Sequence, residues 1–435
     1  GWVDPAPHAA GHHDTEDEAH GHDLSGDADH GAHAHAKVAH GDDAHGDADA
    51  HDDHHDHEYG VGKIEGPVPH ESPLAMTIPA LPDALIQALP ADRPLIIFCA
   101  RSDLFPALPQ QARIVTIPSL FEPRGDEART MDQFPTPATL HCAPLGWPGI
   151  RKAMAVLTGW FDQADPALMV CDVSAEIAQL CRICSVPQVT VLQHGDRGDA
   201  GHRAAYEGAV GLLAPFHAAL AQPEWSHAML ERTCFAGGLG VETRVPDRAI
   251  ARRHLGLSDG QDMILVMSGK GGSGFRQAPL GVGARSRPCA RWITIGPVER
   301  DWHATEPTNI EHRGWVVDAA EHVAAADLVI ASTGNTTCQQ ILAAGRPWLA
   351  IPEWRYFDEQ HRKAQALAAA RVACVRPHLP SSAEAWAAAL AETHEQHDPA
   401  AQRALIEPDP AGMAAAWLEQ LAETLWPAVQ LQETA

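Results

Sequence analysis

From about residue 90 onward the chain repeats one pattern. A short unbroken apolar run is followed by a polar or glycine-bearing loop, and then by a stretch with apolar residues three and four apart. Such runs are typical of strands buried on both faces, and such spacing is typical of amphipathic helices. PALPDALIQAL predicts a short helix, RPLIIFCA a buried strand, RIVTIPSLF a second strand and IRKAMAVLTGWFDQA a helix. ALMVCDV, SAEIAQLCRICSV and QVTVLQHG then read as strand, helix and strand. AVGLLAPF is a further strand, and FAGGLG (Phe235–Gly240) a linker. The pattern restarts with MILVMSGKGGSGF, WITIGPV, NIEHRGWV and the helix DAAEHVAAA. ADLVIASTGNTTCQQILAAGRPWLAIPE gives strand, loop, helix and strand. Its helix starts near Thr336 and ends at Gly345, with Pro347 just beyond. DEQHRKAQALAAA and two stretches after Ser381 are helical.

Strands alternating with helices predict an α/β fold with parallel sheets. A chain of 435 residues exceeds one core, so two lobes are expected. The pattern places a first lobe at 80–240, a second at 241–378 and C-terminal helices at 379–435. Residues 1–79 break it. Residues 1–70 hold 15 of the 28 histidines, and 17 carboxylates against Lys37 and Lys63. So little of this can be buried that ordering it would not be offset, which predicts a disordered His/Asp-rich tail. Clusters such as His51, His54, His55 and His57 would bind metal only weakly, as a solvated linker or as a metal buffer.

A net charge of −26 argues against nucleic-acid binding, which needs a basic footprint. No apolar run reaches the roughly 20 residues of a membrane helix. No secretory leader is evident, and a first residue of Gly marks a fragment or processed chain. The nine cysteines sit mostly in apolar runs, as buried thiols of a reducing, cytoplasmic compartment would. The lone pair Cys181 and Cys184 reads as one helix face.

Open α/β sheets hold ligands beyond the carboxyl ends of their strands. There stand Asp172, with Ser174 as an N-cap, and the loop VLQHGDRGDAGHR carrying His194, Arg197 and Arg203. Asp172 and His194 are the candidates for a general base; Arg197 and Arg203 could meet a phosphate or the acceptor. Ser268, Gly269, Gly271 and Gly272 form a glycine-rich loop whose amides can approach an anion.

The run from Ala325 to Leu367 resembles the donor-binding half of family-28-type glycosyltransferases, which include the transferase that glycosylates the lipid-linked peptidoglycan precursor. The matching pieces are Ser332, Gly334, Asn335 and Thr336, then AAGRP, Pro352 and Asp358-Glu359-Gln360. With DVSAEIAQLCRICSVPQVTVLQHGDRGDAGHR the likeness spans about 130–375. It implies a GT-B-like fold of two Rossmann-like lobes and transfer of a hexose-type sugar from a nucleotide sugar such as a UDP-sugar. No cofactor would be required beyond that co-substrate. Gly334–Thr337 (Asn335, Thr336 and Thr337) would face the diphosphate, and Asp358, Glu359 and Gln360 the sugar. Gln340 stands where peptidoglycan members carry a ribose-binding Glu. A lipid acceptor would add peripheral membrane contact. The architecture also suits a nucleotide-sugar 2-epimerase. PHESPLAMTIP (Pro69–Pro79) resembles a segment after the His-rich loop of the antiporter-like subunit of NADH:quinone oxidoreductase, which implies a mis-joined reading frame. The family's first strand ends in a Gly/His loop that does not precede RPLIIFCA. The first lobe is therefore expected to lack that strand, which leaves an inactive, truncated protein as the other reading.

Overall fold

A computed structural model describes residues 72–77, 83–105, 108–242, 244–258, 260–269, 272, 274–300 and 305–427. His51, His54, His55, His57 and Gly271 lie outside them.

The first lobe runs β1 (Leu74–Thr77), α1 (Asp83–Ala88), β2 (Leu95–Cys99), β3 (Ala112–Thr116), α2 (Pro148–Ala164) and β4 (Leu168–Cys171). It continues with α3 (Ala175–Ile183), β5 (Gln188–Val191), α4 (Ala200–Gly208), β6 (Gly211–Ala214), α5 (His227–Glu231) and β7 (Thr233–Phe235). All seven strands are parallel, in the order β3-β2-β1-β4-β5-β6-β7. Alternate residues feed two cores, as a sheet covered on both faces requires. Leu74, Met76, Ile97 and Val170 face α1, whereas Ala75, Phe98, Met169 and Cys171 face α2 and α3.

This corrects the sequence expectation in one respect. The lobe does not lack its first strand. Leu74–Thr77, inside the segment assigned to the tail, pairs with β2 on one side and β4 on the other, and is wholly buried. The lobe begins by Ser72, not at 80, and is not short of a strand, although no Gly/His loop follows that strand in the sequence.

The second lobe runs α6 (Arg248–His254), β8 (Met263–Met267), β9 (Phe275–Arg276), α7 (Gln277–Ser286), β10 (Arg291–Ile295), β11 (Val298–Glu299) and β12 (Ile310–His312). It continues with α8 (Ala319–Ala325), β13 (Leu328–Ala331), α9 (Asn335–Ala344), β14 (Trp348–Ala350), α10 (Glu359–Ala369) and β15 (Cys374–Val375). Its main sheet is parallel in the order β12-β10-β8-β13-β14-β15. One core joins the lobes: Leu192, Leu212 and Phe216 of the first pack with Leu265, Ile341 and Leu367 of the second.

The chain ends in α11 (Ala383–Glu395), α12 (Pro399–Arg403) and α13 (Pro410–Leu425). α11 stays with the second lobe, where its Trp386 stacks edge-on against Trp292. α13 returns to the first. Its Ala414, Leu418 and Ala422 complete the core around Leu85 and Ile97. Glu419 receives the guanidinium of Arg93, 1% exposed, which also donates to the Ser72 carbonyl at 2.9 Å. The two passages between lobes touch, the Glu407 N–H donating to the Gly237 carbonyl at 2.8 Å. Among the described residues no helix is long and apolar enough to cross a membrane.

Candidate functional site

The carboxyl ends of both sheets meet across a partly open cleft of about 110 Å³. Asp172, His194 and Phe216 line it from the loops after β4, β5 and β6. Asn335 and Thr336 line it from the start of α9, and Glu359 and Lys363 from α10. Of the residues singled out in the sequence, the fold thus brings together Asp172, His194, Asn335, Thr336 and Glu359.

His194 is 1% exposed, and its ring lies 4.3 Å from that of Phe216, centre to centre. Its Nε2 is 2.7 Å from the carbonyl oxygen of Leu220. A carbonyl can only accept, so Nε2 carries the proton and Nδ1 holds a lone pair. Nδ1 is buried and has no partner within the protein. Burial first, and then the charge of Lys363, hold the imidazole well below its ordinary range, so it is neutral. The next residue must be glycine. Gly195 has φ +132°, and a Cβ there would meet the Phe357 carbonyl.

α9 begins without help. Its N-cap is Gly334, no side chain caps it, and its first turn holds no acid. The amides of Asn335, Thr336 and Thr337 and the positive end of the helix dipole are left for other partners. Ser332, just upstream, is 1% exposed with an unpartnered hydroxyl. Lys363 is 2% exposed and donates to Asn335 Oδ1 at 2.9 Å. Its ammonium also lies 5.6 Å from the ring centre of Phe216, across the lobe boundary. The sequence reading missed Lys363. Its signal was position: Gln360, Lys363, Ala364 and Leu367 form the buried stripe of α10, and lysine is otherwise rare on such a stripe.

A second contact holds the lobes beside the cleft. Arg197 approaches Glu359 at 3.6 Å and lies over the Phe357 ring at 4.8 Å. Phe357 is boxed in by His141 and His202, with ring centres at 4.9 and 4.8 Å. Phe357 and Asp358 both adopt left-handed backbone, φ +58° and +54°, a conformation that persists only when the surroundings impose it. His202 is fixed by Asp199, and burial lowers its pKa despite that carboxylate.

Other candidates have different surroundings. Gln360 is a brace: its side-chain oxygen accepts from the Thr333 and Glu353 amides at 3.1 and 2.8 Å. Asp358 is exposed and pairs with His361 at 2.9 Å. Arg203 is exposed on α4, away from the residues lining the cleft. Gln340 keeps a buried side-chain oxygen without a partner. The glycine-rich loop meets a carboxylate of the protein itself. The Gly274 amide donates to Glu353 at 3.2 Å, and a side chain at Gly272 would collide with that same carboxylate. Ser268 is buried and Gly269 faces open space. On the same edge of the sheet, after β12, Trp315 is 59% exposed.

Residues 297–404 match the glycosyltransferase family 28 C-terminal domain. The second lobe thus carries the domain of a glycosyltransferase, and the whole carries the matching fold. The chain superposes on the glycotransferase of kitacinnamycin with a TM-score of 0.57 and 16% identity, covering 82% of this chain and 100% of that one. It superposes on Acinetobacter baumannii MurG with a TM-score of 0.50 and 13% identity, covering 80% and 99%. For spinosyn rhamnosyltransferase SpnG, complexed with thymidine diphosphate, the values are 0.53 and 17%, covering 80% and 100%. No curated protein matches the chain in sequence. Two parallel-sheet lobes facing each other across a cleft are the GT-B architecture, and the glycosyltransferase reading of the sequence stands.

Proposed function

We propose that the protein transfers a hexose-type sugar from a nucleoside-diphosphate sugar to an acceptor hydroxyl. One observation carries this reading: the uncapped start of α9, with Asn335 and Thr336, shares a cleft with His194, a buried and neutral imidazole from the other lobe. Helix amides and the helix dipole favour a phosphate at α9. With the diphosphate at α9, the nucleoside would extend out of the cleft along the same sheet edge, where Trp315 offers an exposed ring.

His194 is preferred to Asp172 as the base, because its imidazole lines the cleft in the neutral form and its Nδ1 has no partner within the protein. The acceptor oxygen forms a bond to the anomeric carbon and its proton passes to Nδ1. The bond from that carbon to the phosphate oxygen breaks, and its electron pair leaves on the diphosphate. Glu359 lines this end of the cleft and would contact donor hydroxyls. A base placed on a first-lobe loop, opposite a donor held by the second, would act only while the lobes are closed.

The test is a thermal-shift and turnover screen of the full chain against UDP, GDP, dTDP and their sugars. Binding raises the melting temperature with the logarithm of ligand over Kd. A selective shift with one nucleotide, and hydrolysis or transfer of its sugar, is the expected result. A protein that melts cooperatively and responds to none would sink the reading.

A further inference from the structure

Lys363 has an environment that the fold alone does not account for. An ammonium removed from water costs several kcal/mol unless a charge or a full set of hydrogen bonds replaces the solvent. Lys363 has one hydrogen bond, to the neutral side chain of Asn335, and the face of Phe216. Among the described residues it makes no ion pair. Glu359, one turn earlier on α10, is taken up by Arg197, and His194 is neutral. Asp172 lines the cleft from the opposite lobe. The ammonium also sits beside the first residue of α9, where the helix dipole is positive. Two positive features have been placed together, and neither is in a described ion pair. Next to them is a fully buried imidazole nitrogen with a lone pair and no donor. Each of these groups is less stable alone than it would be with a polyanion bearing hydroxyls between them.

We propose that Lys363 binds the diphosphate of the donor, acting with the amides at the start of α9 as the cation that opposes charge on the leaving phosphate oxygen. The assignment rests on the nucleotide-sugar reading, but its chemistry is narrower: a fixed ammonium at the diphosphate. The leaving electron pair settles on an oxygen that this cation neutralises. The same anion, once bound, offsets the charge that Lys363 projects onto His194, so donor binding strengthens the base. Asn335 is a placeholder in this scheme. It holds the ammonium in position and yields it to phosphate oxygens.

The experiment compares wild type with Lys363→Met and Lys363→Arg in the full chain, using inorganic pyrophosphate and nucleoside diphosphates in calorimetric titrations, with melting curves alongside. Met matches the length of lysine without its charge. The proposal expects Lys363→Met to melt at or above wild type without ligand, and to lose at least about tenfold in pyrophosphate affinity. Lys363→Arg should keep affinity within a few-fold. Equal pyrophosphate affinity in wild type and Lys363→Met, or no pyrophosphate binding by wild type, would overturn it. A Met variant that melts well below wild type would also overturn it, since Lys363 would then be a structural brace. If pyrophosphate binds through Lys363 but no nucleoside diphosphate binds more tightly, the lysine assignment holds and the nucleotide-sugar reading fails.

Discussion

Two helices begin at the carboxyl edges of the two sheets, and they are finished differently. α3 supplies its own cap: Ser174 Oγ accepts the Ile177 amide at 3.2 Å. Glu176 in its first turn places a carboxylate at the positive end of the dipole and accepts the His141 and Cys142 amides at 2.6 and 2.5 Å. α9 has neither cap nor acid, and the buried Lys363 of α10 donates to its first residue, Asn335. A helix that satisfies its own amides gains stability and loses the capacity to bind an anion. The first lobe has taken the first course and the second lobe the other. Under the proposed function the anion would belong to the second lobe, and the first would contribute His194.

The largest effect is expected at that residue. His194→Gln should lower kcat by about 10²–10⁴, the usual contribution of a general base, while the KM for donor stays near wild type; steady-state kinetics would check this. Making α9 resemble α3 comes next. Asn335→Asp puts a carboxylate at the helix start and pairs it with Lys363. Pyrophosphate affinity should fall by roughly ten- to a hundredfold in calorimetry while the melting temperature holds or rises.

The third effect concerns pH. Burial lowers the pKa of His194 below its unfolded value near 6.5, so below that pH the unfolded chain binds a proton the native chain refuses. The stability contributed by neutral His194 is therefore present above about pH 6.5 and is lost as pH falls, with a slope of up to about 1.4 kcal/mol per unit. Burial moves His202 in the same direction. Denaturant titrations at pH 7.5, 6.5 and 5.5 should show this slope in wild type and a shallower one in His194→Gln. The smallest change is Ser174→Ala. It should cost about 1 kcal/mol of stability and leave nucleotide affinity untouched, whereas a loss of affinity would mean that α3 also serves the ligand.

Much of this was legible in the sequence, because parallel strands and helix ends carry local signals. The α9 segment announced itself through Gly334 before it and Gly345 and Pro347 after it, and Gly345 does adopt left-handed backbone, φ +61°. Ser174 read as a cap and is one. What failed was non-local. β1 is four residues between two prolines, and only its pairing with β2 and β4 marks it as a strand. The glycine-rich loop looked open to an anion until Glu353, 79 residues beyond Gly274, arrived against it. Nor does anything local reveal that two backbone amides occupy the side-chain oxygen of Gln360, leaving only its NH2 for a ligand. Lys363 was within reach, since its place on the buried stripe of α10 could have been counted.

The return of α13 to the first lobe has a consequence for how the protein is made. A ribosome delivers the residues of the seven-stranded sheet long before it delivers Ala414, Leu418 and Ala422, which close one face of that sheet. The Glu419 carboxylate that receives Arg93 also arrives only with this last helix. The second lobe, synthesised later, has its own cover in α11 and needs no such wait. The half of the protein that is translated first is thus completed last, and for most of its synthesis the nascent chain exposes an apolar sheet face that chaperones would recognise.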